Sequence, residues 1–141
     1  PPTHPRIKAV KDATGNVEQG VERMHRTKLE YYSGDDGLNC MLMAQGASGI
    51  ISVVGHVAGA FFRQQIDAIN EGDIDTARNI QRLLTPLIDS IMGGGQGAVM
   101  AKAAVHMMGI IESDRLRLPL VPALDEELDR MRRVMEDLEL L

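Results

Sequence analysis

Up to about residue 57 the chain alternates short apolar runs of strand character with segments whose apolar residues recur at helical spacing; beyond it the pattern is helical throughout. The strand-like runs are Ile7 to Lys11, Leu29 to Ser33 and Gly49 to Val54. Their alternation with helical stretches predicts parallel βαβ units. Asn16 is placed to cap the first crossover helix, which carries Val17, Val21 and Met24 on one face. A shorter helix is predicted near Leu38 to Gln45. Gly49 to Val54 is apolar at nearly every position, the pattern of a parallel strand covered on both faces.

After residue 57, Ala58, Phe62, Ile66 and Ile69 fall at helical spacing and Gly72 ends that helix. Asp73 is a cap for the next, which should bury Ile80, Leu84, Leu87 and Ile91 and bend at Pro86. The run Gly93-Gly94-Gly95-Gln96-Gly97 breaks it, a third helix follows through Met100, Ala104 and Met107, and a fourth, after Pro119 and Pro122, repeats Leu124, Leu128, Met131, Met135 and Leu138. Residues 1–75 are thus expected to form βα units and residues 76–141 a helical extension.

Length and composition narrow the possibilities. With 141 residues, 44% hydrophobic and 25% charged, the chain can bury one core, but it is far shorter than the roughly 250 residues of a complete eight-stranded α/β barrel. It starts Pro1-Pro2 without methionine, as a cut in something longer would. The net charge of -5 is spread along the helices with no run of lysine and arginine, which argues against nucleic acid. The single cysteine, Cys40, has no intrachain partner, and no signal-peptide pattern or long apolar run points to export or a membrane, so a cytoplasmic location is expected.

Lys11 is the foremost candidate for chemistry. It ends a strand-like run with Ile7 and Ala9 on the same face by two-residue alternation. An apolar wall disfavours the ammonium form, and a free amine can attack a ketone. Lys8 faces the other way and reads as a solvated charge. Ser33-Gly34-Asp35-Asp36 ends the second strand and opens a helix, where the two carboxylates can simply satisfy free N–H groups in the first turn. His4, His25, His56 and His106 are scattered, so a metal site has little support. The glycine-rich run before Lys102 lacks the preceding strand and the ending of a phosphate loop, and the nine methionines fall mostly at core spacings.

Three segments, Val10-Lys11-Asp12-Ala13-Thr14-Gly15, Ser33-Gly34-Asp35-Asp36 and Gly49-Ile50-Ile51-Ser52, resemble in order and separation the dihydrodipicolinate synthase family of pyruvate-dependent, Schiff-base-forming aldolases. The resemblance covers essentially the whole chain. It implies an α/β fold, the C-terminal half of a TIM (β/α)8 barrel with about three parallel strands, plus a C-terminal helical extension. It further implies that Lys11 forms the imine, that Gly34 lines the site mouth, and that Ile51 turns its backbone carbonyl toward a bound keto acid. Asp35 and Asp36 would stand behind the substrate-contacting residues.

The implied reaction condenses pyruvate with aspartate semialdehyde in lysine biosynthesis, with no cofactor or metal, in a homotetramer completed by the missing N-terminal half. Tyr31 and Tyr32 do not match the family's tyrosine relay, and the glycine-rich loop stands where many members are proline-rich. An N-acetylneuraminate lyase or a keto-deoxy sugar acid aldolase would use the same lysine. A noncatalytic helical module docking a partner through Leu124 to Leu138 is the alternative from another class.

Overall fold

The computed structural model describes residues 4–94 and 96–141. Three parallel strands, β1 (Ala9–Asp12), β2 (Glu30–Ser33) and β3 (Gly49–Ile50), form a sheet in the order β1-β2-β3. Helix α1 (Val17–Arg26) links the first pair, and a 3-10 turn over Asp36–Leu38 followed by α2 (Asn39–Ala44) links the second. Then come α3 (Gly55–Asn70), α4 (Ile74–Met92), α5 (Gly97–Met107) and α6 (Asp125–Asp137).

Local chemistry explains most of these boundaries. Gly15 takes φ +71°, which frees the chain to turn out of β1, and Asn16 then accepts the Gln19 N–H at 3.0 Å to start α1. Asp73 caps α4 through the Thr76 N–H at 3.0 Å, and α4 runs through Pro86 to Met92. Gly95, the middle of the glycine-rich break, lies outside the described residues.

Three expectations need correction. The run Gly49 to Val54 yields only a two-residue strand: the Ile51 N–H still donates to Ser33 at 2.7 Å, but β2 ends there. With no ladder left to follow, the chain turns into α3 by way of the His56 N–H to the Val53 carbonyl. The first strand starts at Ala9, where pairing with Glu30 begins, so Ile7 lies outside it. Leu124 is 69% exposed, because it sits in extended backbone just before α6 and the Glu127 carboxylate reaches back to its N–H at 3.0 Å.

The chain divides into two compact units, Pro1–Ser52 with Phe61–Arg82, and Val53–Ala60 with Leu83–Leu141. In the first, Leu42, Met43 and Ala47 are buried beneath Val17, Met24, Leu38, Ile50, Ile66 and Ile69, so the helices cover one face of the sheet. In the second, Leu84, Leu87, Ile91, Met131 and Met135 are fully buried, and α5 packs on α6. Each such side chain contributes about 1.5–3 kcal/mol by leaving water. Among the described residues no helix is long and apolar enough to cross a membrane.

Candidate active site

Parallel pairing matches Lys11 to Tyr32 and Asp12 to Ser33, and then Tyr32 to Gly49 and Ser33 to Ile50. Side chains alternate along each strand, so Lys11, Tyr32 and Gly49 share one sheet face, and Asp12, Ser33 and Ile50 the other. The second face lies under the helices: Asp12 is 6% exposed, Ser33 1%, and Ile50 packs on the Leu42 cluster. The first face is open. Continuing the alternation by one step puts Gly34 and Ile51 on that open face at the C-terminal ends of their strands, the end at which α/β barrels keep their sites.

The fold therefore brings together what the sequence singled out. Lys11 and Gly34 touch, since a Cβ placed on Gly34 would lie 2.6 Å from Lys11 Cε. Ile51 directly follows β3, whose axis lies two strand spacings, roughly 10 Å, from that of β1. The apolar wall expected beside Lys11 is not buried within this chain: Lys11 and Ala9 are exposed, and Ile7 and Ile51 each expose 45%.

Behind Lys11 the turn is held from the buried side. The Asp12 carboxylate accepts the Thr14 N–H at 3.0 Å and the Thr14 hydroxyl at 2.7 Å, and Arg23 of α1 lies 3.5 Å away. Gly20 of α1 makes room, for a Cβ there would sit 3.3 Å from Asp12 Oδ2. Burial pushes the Asp12 carboxyl up, but the Thr14 hydrogen bonds and the Arg23 charge outweigh it and hold it below the usual aspartate range. The stabilisation is thus complete above the unfolded carboxyl's value of ~3.9 and is lost as pH falls through the lower folded value. Asp12→Asn is expected to reduce stability by about 1–3 kcal/mol at neutral pH and to flatten the fall in urea midpoint below about pH 4. An unchanged acid limb would contradict this role.

Asp35 and Asp36 have structural work. Asp35 accepts the Gly37 N–H at 3.1 Å, while Asp36 is 4% exposed and accepts from Asn39 Nδ2 at 3.2 Å. Gln81 Nε2 of α4 donates to the Asp36 carbonyl at 3.1 Å, and Gln65 Nε2 of α3 donates to Gln81 Oε1 at 3.1 Å, a partly buried chain that anchors the loop after Gly34. Lys102 donates to the Arg115 carbonyl beside a cavity of about 420 Å³ lined by Val53, His56, Ala101 and Val105.

Sequence reading missed Tyr32 and Glu30 as neighbours of the lysine. Counting back by twos from Gly34 would have placed both on its face. The Tyr32 hydroxyl donates to Glu30 Oε2 at 3.0 Å, and that bond raises the phenol above its ordinary value, so Tyr32 stays protonated.

Comparison with known proteins decides the family. The model of the dihydrodipicolinate synthetase family matches residues 2–138. The chain belongs to that family. Among its relatives, the 4-hydroxy-tetrahydrodipicolinate synthase of Bifidobacterium longum is 45% identical over 135 residues, which are 96% of this chain and 45% of that protein. The synthase of Kineococcus radiotolerans is 48% identical over 88% of this chain and 40% of its own length. The chain thus spans about half the length of the family members it matches.

Two solved family structures superpose on it closely. The synthase of Aquifex aeolicus has a TM-score of 0.88 at 32% identity, covering 95% of this chain and 46% of that one. That of Acinetobacter baumannii, solved with pyruvate, has a TM-score of 0.88 at 28% identity, covering 99% and 48%. The architecture is accordingly a partial TIM barrel of the family's type, with helices added after its strands.

Proposed function

We propose that this chain supplies the imine-forming lysine, Lys11, for condensation of pyruvate with aspartate semialdehyde when joined to the first half of a barrel, with residues 1–75 as barrel units and 76–141 as extension. The observation that carries this reading is the placement of Lys11, Gly34 and Ile51 on one open face at the C-terminal strand ends, in a chain of this family.

The Lys11 amine attacks the ketone carbon, and the carbinolamine loses water to give an iminium. The iminium draws electrons from the adjacent methyl group, a proton leaves, and the enamine carbon attacks the aldehyde. The substrate's own amine then adds to the iminium carbon, closing the ring and expelling the Lys11 amine as 4-hydroxy-tetrahydrodipicolinate forms. One water is released overall. Gly34 lines the mouth and the Ile51 carbonyl faces the keto acid in this reading.

The choice of acceptor is tested by comparing, in the complete protein, turnover of pyruvate plus aspartate semialdehyde with cleavage of N-acetylneuraminate and of a keto-deoxy sugar acid. The synthase reaction is expected to have the higher kcat/KM by on the order of 10²-fold or more. A higher value for either sugar acid would overturn the acceptor and leave the lysine chemistry standing. The docking-module reading loses its surface, because Met131 and Met135, the centre of the Leu124 to Leu138 stripe, are fully buried in the chain's own core.

A further inference from the structure

Gly34 is held with little freedom to move. Its N–H donates to the Asp12 carbonyl at 2.8 Å, one step beyond the Asp12–Ser33 pair, so it continues the β1-β2 ladder beside Ala13. The partly buried hydrogen bonds of Asp36, Gln81 and Gln65 pin the loop that follows. A Cβ at Gly34 would lie 2.6 Å from Lys11 Cε, 2.8 Å from Lys11 Cγ and 3.0 Å from Ala13 Cβ. Ordinary carbon contacts are ~3.5–4.0 Å, so even a methyl group would overlap the lysine stem by about 1 Å. Gly46, Gly59 and Gly109 show the contrast, since a Cβ there meets nothing within 4 Å.

We infer that Gly34 is a positioning residue for Lys11: its bare Cα is the seat along which the lysine stem lies, and this sets where the amine is presented. The inference rests on Lys11 being the imine-forming residue and adds to it. Of the overlapping parts, the ladder backbone is fixed by hydrogen bonds while the lysine stem turns about four single bonds. A side chain at position 34 therefore displaces the amine and leaves the fold largely intact. Mouth lining alone would tolerate a methyl group; a seat does not.

The test uses Gly34→Ala in the complete protein that carries this chain, with Gly59→Ala as control. Borohydride trapping of pyruvate at Lys11 is followed over time and across pH, beside urea unfolding. Gly34→Ala is expected to unfold near the parent's midpoint but to form the imine about tenfold more slowly or worse, with kcat falling at saturating pyruvate. Gly59→Ala should match the parent in both. Imine formation at the parent's rate in Gly34→Ala would overturn the inference.

If Gly34→Ala fails to fold, the pair Lys11→Ala/Gly34→Ala decides. Recovery of the fold on removing the lysine stem supports the seat, and continued failure means the glycine serves the backbone, which sinks it. Should the parent form no imine at Lys11, the proposed function falls, and this stability cycle still tests the seat: coupling between the two substitutions supports it, additivity overturns it.

Discussion

In the complete protein, pyruvate reduced onto the enzyme with borohydride is expected on Lys11 alone, and Lys11→Met is expected to lower turnover by on the order of 10³-fold or more. Three features of the chain support this. Lys11 lies one residue before the end of β1 on the open face, its stem lies against Gly34, and the turn behind it is locked by Asp12 and Thr14. Peptide mass spectrometry after trapping reads the site directly. An adduct on Lys8 or Lys102 with Lys11 unmodified would falsify the assignment.

The 141 residues expressed alone are expected to be inactive and to self-associate. β1 and β3 each pair on one side only, leaving two strand edges without a ladder partner among the described residues. The face between them carries Ile51 at 45% exposure, and Ile7, just before β1, is exposed to the same extent. Open edges beside apolar surface recruit other chains. Light scattering after gel filtration should show species larger than one chain, and turnover should stay at background until the first half of the barrel is added. A monodisperse monomer with full aldolase activity would refute both this expectation and the half-barrel reading.

Much of the fold was legible because its signals are local. The strand-like runs ending at Lys11 and Ser33, the Asn16 and Asp73 caps, and the spacing of Leu84, Leu87 and Ile91 each depend on neighbours within a turn or a strand. The boundaries of β1 and β3 were not legible, because a strand ends where its partner's ladder ends, and the partner is distant in sequence. Leu124 was misplaced for a different, local reason: the periodic stripe extends one residue past the point where Glu127 fixes the start of α6.

The sequence by itself determined the element order, the family motifs and the identity of the candidate lysine, because these follow from residue type and short spacing. Only the tertiary structure decided that Gly34 lies against the stem of Lys11, that Asp12 locks the turn from the covered face, and that Tyr32 shares the open one. Register between parallel strands joined by a helix is set by how that helix packs, with Gly20 seated over Asp12 and Leu42. No periodicity within either strand encodes that fit, and a slip of one residue would turn Tyr32 and Gly34 away from the lysine.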